Sequence, residues 1–155
     1  MDAQVIELLG RNRLISELLR ADLEVALPIR DRGIDLLAYV DLGPELRAFS
    51  ACPVQMKASS HRAFSLDAKY AKFPSLILAH VWHIESPQEE VTFALTYPEA
   101  LSVAEAMGWT KTPSWANGYY TNTAPGSKLR ELLEPHRMTP ERWWQKVTGT
   151  ARAAA

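Results

Sequence analysis

Hydrophobic and polar positions along this chain recur with two periods, near 3.6 and near 2, and the switches between them predict its elements. Residues 3–20 place Val5, Leu8, Ile15, Leu18 and Leu19 on one side of a helix, so that side is expected to be buried. Gly10 interrupts this helix at a cost of about 1 kcal/mol relative to alanine, which predicts a close backbone approach there. Residues 24–29 alternate and read as a strand, and RDRG at 30–33 has turn chemistry. Residues 34–40 are apolar almost throughout, the pattern of a strand buried on both faces, and 41–45 read as a hairpin-like turn. A third strand is expected over 47–58, with Pro53 pointing to an edge or a bulge. Residues 59–73 are polar and read as loop or short helix.

Strands follow at 76–84 and 91–95, then a helix at 98–107 with Pro98 near its start and Gly108 at its end. A turn-rich stretch holds a short strand at 119–121. Ser127 is expected to cap a helix over 127–135, Thr139 precedes a last helix, and 148–155 reads as a flexible tail. This order gives the α/β (α+β) class: a central mixed β-sheet flanked by helices. One domain is expected over 1–150, with a core at about 5–95 and a helical part at about 98–147.

Composition narrows the class. The 155 residues are 47% hydrophobic and 23% charged, which fits one ordinary domain and excludes a disordered chain. A single cysteine, Cys52, excludes a disulfide scaffold. The apolar runs fall far short of the ~20 residues a bilayer needs, so no membrane association is expected. The lone thiol and the lack of an export signal point to the cytoplasm. The net charge of −1 hides an asymmetry: from Trp109 onward there are seven basic and three acidic residues, leaving the first 108 residues at −5.

The informative anomaly is an acid inside an apolar strand. Asp35 lies between Ile34 and Leu36, and burying a carboxylate without partners costs several kcal/mol. Gln55 and Lys57 repeat the anomaly two residues apart, on one face of the next strand, while Val54 and Met56 point into the core. If the strands pair, a carboxylate, an amide oxygen and an ammonium converge on one spot. Oxygen ligands suit Mg²⁺ (or Mn²⁺), and the lysine can orient a water or balance charge at phosphorus. Bland readings stand beside this: Asp35 as a structural partner of Arg30 or Arg32, Lys57 reaching for water, and Glu7 as an ordinary solvated helix position.

A helix followed by GID at 33–35 and VQMK at 54–57 resembles the PD-(D/E)XK nucleases. The nearest look-alikes are the Holliday-junction-resolvase-like and homing-endonuclease-like members, some of which carry Gln-x-Lys. The resemblance covers about residues 5–95. It implies a restriction-endonuclease-like fold, Mg²⁺-dependent hydrolysis of phosphodiesters in nucleic acid (DNA as the first expectation), and often a homodimer. The implied catalytic residues are Asp35, Gln55, Lys57 and Glu7, with Asp35 and Gln55 on the metal. Ser59, Ser60 and Arg62, just beyond Lys57, are expected near the phosphate backbone.

Three departures accompany the resemblance. Ile34 replaces the proline of the family's name, and Gln55 replaces an acid and removes a charge from the metal site. The helix glutamate is not where it is expected, since Arg11 or Asn12 fall there. Glu7 and Glu17 are substitutes; Glu17 projects away from the apolar face and Glu7 lies at its edge, which favours Glu7. Two other functions stay open: a nuclease-fold module that binds without cutting, and a protein-interaction domain using the aromatic residues Trp109, Trp115, Tyr119 and Tyr120. His80 and His83, three apart on a strand, cannot pair on one metal, and no phosphate loop or serine elbow is present. Of Trp143 and Trp144, one is expected to pack in the core.

Overall fold

All six residues of the strand Ile77–Trp82 are buried, and the rest of the molecule is layered on its two faces. The computed structural model describes residues 1–43 and 49–154. In chain order the helices are α1 (Ala3–Arg20), α2 (Tyr97–Ala106), α3 (Pro113–Ala116), α4 (Ser127–Leu133) and α5 (Pro140–Ala154). The strands are β1 (Glu24–Ala26), β2 (Leu36–Tyr39), β3 (Ala51–Ala58), β4 (Phe64–Asp67), β5 (Ile77–Trp82), β6 (Val91–Thr96) and β7 (Tyr119–Asn122). The main sheet runs β1-β2-β3-β5-β6; only the β3–β5 pair is parallel, so the fold is α+β with a mixed sheet. β4 and β7 form a separate antiparallel ribbon.

The period of two along β5 divides the core. Ile77, Ala79 and Val81 join Leu14 and Leu18 of α1, Val54 of β3, and Trp143 and Val147 of α5. Leu78 and Trp82 face the other way, onto Phe64 and Leu66 of β4, Ala100 and Val103 of α2, and Leu129 and Leu133 of α4. Each face of a two-sided apolar strand thus finds its own helical layer.

Several expectations need correction. The buried side of α1 is only partly the predicted one: Leu18 is buried and Ile15 packs on the core as expected, and Gly10 and Leu14 are buried with them, but Val5, Leu8 and Leu19 are 39%, 54% and 50% exposed. Gly10 sets the rotation. A Cβ there would stand 2.5 Å from the Cβ of Ala58 and 3.3 Å from the Met56 sulfur, so only glycine lets the helix lie this close to β3. Pro53 is not on an edge, because β3 is the central strand. Its register partner is Leu37, and the parallel ladder with β5 begins one residue later at Val54, so the missing N–H precedes the second neighbour.

Residues 59–73 hold the short helix expected as one alternative, a 3₁₀ turn over Ala68–Lys72, together with an unexpected strand, β4. Gly126, not Ser127, caps α4, with no side-chain bond. α5 is helical through 148–154, where the alanines are the strongest helix formers. Residues 44–48 and 155 lie outside the described residues, and with them the end of the 41–45 turn and the first residues of the expected 47–58 strand. Among the described residues, no helix is long and apolar enough to cross a membrane.

Candidate metal centre

The site originates where two strands stop running together. β2 begins at Leu36, paired with Val54, whereas β3 continues for four more residues. The edge of β3 therefore opens at Gln55. Asp35 fills the gap from just before β2: its N–H donates to the Val54 carbonyl at 2.9 Å, and its Oδ2 accepts the Met56 N–H at 2.6 Å. A side chain thus takes the place of a ladder acceptor, which explains how an acid only 8% exposed is held in an apolar segment. Neither Arg30 nor Arg32 is its hydrogen-bond partner.

An open cleft of about 320 Å³ forms there, and it brings together Glu7, Asp31, Asp35, Gln55 and Lys57. The four predicted catalytic residues are all in it. Oxygens of Glu7, Asp31 and Asp35 lie within 4.8 Å of one another. Two oxygens on one octahedral Mg²⁺ stand about 3–4 Å apart, from metal–oxygen distances of ~2.1 Å, so small rotations bring these groups onto one ion. Glu7 is exposed and its Oε1 accepts from Arg11 Nη2 at 2.6 Å. Asp31 is exposed, and its Oδ1 accepts the Gly33 N–H at 3.2 Å, closing a turn that needs the positive φ of Gly33 (95°).

Gln55 donates its Nε2 to the Met56 carbonyl at 3.1 Å, but its Oε1 is buried with no hydrogen-bond partner among the described residues. An orphaned buried oxygen costs about 1–3 kcal/mol and asks for a donor or a cation. Lys57 is exposed and, among the described residues, has neither a hydrogen bond nor an ion pair. Burial first pushes the Asp35 carboxyl up; the Met56 N–H opposes this, the charges of Asp31 and Glu7 add to it, and Arg11 opposes it. Three crowded carboxylates and one paired guanidinium are a donor set that could hold a hard divalent cation.

Asp31 was missed in the sequence because RDRG already had a sufficient reading as a turn. Glu17, the second substitute, is placed elsewhere, and its projection away from the core is corrected. It is half-buried, taking Arg13 Nε at 2.7 Å, Thr92 Oγ1 at 2.9 Å and Trp143 Nε1 at 3.0 Å. Arg13 also reaches Glu90 at 2.6 Å, so this is a structural network tying α1 to β6 and α5.

Ser59, Ser60 and Arg62 do not line the cleft. Ser60 Oγ donates to Glu85 at 3.2 Å and Arg62 Nε to His83 at 3.4 Å, both toward the turn after β5, while the Ser59 N–H donates to Val81 at 2.9 Å. Trp109 is buried in the core and stacks at 4.2 Å on Tyr120, which is partly buried against it. Trp143 is 1% exposed and Trp144 38%, dividing core from surface as the 100° step requires. Comparison with protein-family models, curated proteins and solved structures found no match.

Proposed function

We infer that this chain is a metal-dependent phosphodiester hydrolase acting on nucleic acid, with DNA the first substrate to test. The observation that carries the reading is the convergence, on one cleft, of three carboxylates, an orphaned amide oxygen and a lysine without an ion-pair partner. An aspartate opening one strand, Gln-x-Lys on the next and a glutamate from the preceding helix also agree with the resemblance to PD-(D/E)XK nucleases. Asp31 offsets the charge lost at Gln55, so the site keeps three acids.

Asp35, Asp31, Glu7 and the Gln55 oxygen would hold Mg²⁺ or Mn²⁺, which when bound withdraws charge from a phosphoryl oxygen. The Lys57 ammonium orients a water for in-line attack and offsets charge growing on the phosphorus oxygens. The new P–O bond forms as the bond to the leaving sugar oxygen breaks; the attacking water gives up one proton to solvent and the leaving oxygen takes one from solvent. Asp35 is held in place by the Met56 N–H. The single cysteine fits a reducing, cytoplasmic setting.

The neutral Gln55 favours one second reading, a nuclease-fold module that binds nucleic acid without cutting. A cleavage assay on single-stranded, duplex and branched DNA with Mg²⁺ or Mn²⁺, against a chelator control, separates the two. Asp35→Ala and Lys57→Ala should each abolish cleavage with the circular dichroism unchanged. Undiminished cutting by either variant removes the mechanism; binding that ignores the chelator, with no cutting, favours the module.

A further inference from the structure

The loop of residues 31–35 has two sides. Asp31 and Asp35 line the acidic cleft, while Arg32, Gly33 and Ile34 line a second groove of about 620 Å³. Its other wall is the 3₁₀ turn Ala68–Lys72 together with Phe73. A 3₁₀ helix has three residues per turn, so side chains at i and i+3 eclipse. Lys69 and Lys72 therefore form one row, with Tyr70 beside it; Phe73, which ends the turn, donates its N–H to the Tyr70 carbonyl at 2.9 Å.

Tyr70 is 8% exposed and anchors the wall; Phe73 is 56% exposed and belongs to neither core. Lys69 sits over the Tyr70 ring at 5.0 Å and near Asp67 at 3.4 Å. Lys72 and Arg32 are exposed and have no ion pair among the described residues. Pro53 and Leu76 complete an apolar lining that contains no acid.

An apolar lining, an exposed ring and three cations match a ligand with a flat π-face and phosphates on either side. The volume falls in the range of small-molecule sites. Within a duplex, both faces of a base are covered by its neighbours. We propose that this groove is a nucleotide subsite that takes an unpaired base of a single-stranded segment, the base against Phe73 and Tyr70 and its flanking phosphates on Arg32, Lys69 and Lys72. The ligand class rests on the hydrolase reading, and the subsite refines it: a strand leaving the groove across Gly33 delivers the next phosphate to Asp31 and Asp35. Cations and carboxylates then divide the work, the former holding the strand and the latter the metal.

The test is fluorescence anisotropy of the full chain with a labelled single-stranded oligonucleotide and the matched blunt duplex, in chelator so that nothing is cut. The single strand should bind at least about tenfold tighter. Phe73→Ala should weaken it by about 5- to 150-fold, the range spanned by base–aromatic stacking. The double variant Lys69→Gln/Lys72→Gln should flatten the slope of log affinity against log salt by about 1.4, at ~0.7 per phosphate contact on a single strand. Phe73 is exposed, so a thermal melt should show the variant folded. Equal affinity for the duplex, an unchanged Phe73→Ala, or binding of peptides but not oligonucleotides overturns the subsite. Asp35→Asn keeps the two ideas apart: it should stop cleavage and leave strand binding intact. Strand binding that needs Phe73 in a wild type that never cuts sinks the hydrolase and keeps the subsite; cutting with Phe73→Ala binding unchanged does the reverse.

Discussion

Asp35 and Met56 are joined by a 2.6 Å hydrogen bond in which a carboxylate takes the place of a strand acceptor, and this bond fixes the charge that the cleft is built around. The Asp35 N–H reaches Val54 on the other side of Gln55, so the acid grips β3 at two points. Its position follows from backbone geometry, while its ionisation is opposed by burial and by two neighbouring acids. That division separates the stability of the fold from the function of the site.

Asp35→Asn tests the separation. The amide oxygen can still accept from Met56, so the shape should survive. An acid whose folded pKa is raised contributes its stability below its unfolded pKa, about 4, and loses it as pH rises through the folded value. At pH 7 without metal, the variant should melt at or above the wild type. Saturating Mg²⁺ or Mn²⁺ should stabilise the wild type by about 2.7 kcal/mol at a hundred times Kd and the variant by nothing. Melts from pH 4 to 8 with and without the ion decide it; equal metal shifts in both proteins would show that the ion binds elsewhere.

Glu7 and Glu17 should respond in opposite ways. Glu17→Gln weakens bonds to Arg13, Thr92 and Trp143 in a half-buried network, and about 2–4 kcal/mol of stability should go with them. Metal affinity should stay as it was. Glu7→Gln breaks only an exposed pair with Arg11, worth about 0.5 kcal/mol or less, yet it should weaken metal binding by about tenfold through loss of a charged ligand. Urea midpoints and calorimetric titrations, read together, check both; a metal defect confined to Glu17→Gln reverses the assignment.

The contrast shows which parts of the site were legible in the sequence. Asp35, Gln55 and Lys57 stood out because polar groups in apolar strands are costly, and the cleft gathers all three. Asp31 gave no such signal, since its bond to Gly33 is an ordinary turn contact. The rotation of α1 was misread because its exposed side carries as much apolar character as its buried side; Gly10, not hydrophobicity, decides it. The row of Lys69 and Lys72 was hidden because the period of three in one 3₁₀ turn is too short to register in a polar stretch. Pro53 suggested an edge because sequence does not show where a second ladder begins.

His80 should govern the acid side of the stability profile. It is 2% exposed in β5, its ring 4.5 Å from that of Phe64, and burial, helped by Lys57, pushes its pKa down to about 3. A base lowered on folding takes up its proton in the unfolded chain first. Stability is therefore complete above about pH 6.5 and is lost as pH falls from there toward 3. Urea midpoints between pH 4 and 6 should show a slope of up to about 1.4 kcal/mol per pH unit from this one proton. His80→Met keeps an apolar side chain of similar size and should remove that slope; a slope that persists in the variant assigns it to other groups.

Gln55→Glu puts an acid where the orphaned oxygen now sits. The Oε1 of Gln55 is buried without a hydrogen-bond partner among the described residues, and a fourth carboxylate beside Glu7, Asp31 and Asp35 would be strongly repelled in the metal-free protein. The variant should therefore melt below the wild type in chelator. Divalent metal should reverse the order, because a charged ligand replaces a neutral one, and affinity should rise by about tenfold or more. Cleavage at limiting Mg²⁺ should rise with it. Calorimetry with Mg²⁺ and Mn²⁺, paired with melts in chelator, measures both halves. A variant destabilised in chelator with no gain in metal affinity would mean that the oxygen of residue 55 does not face the ion.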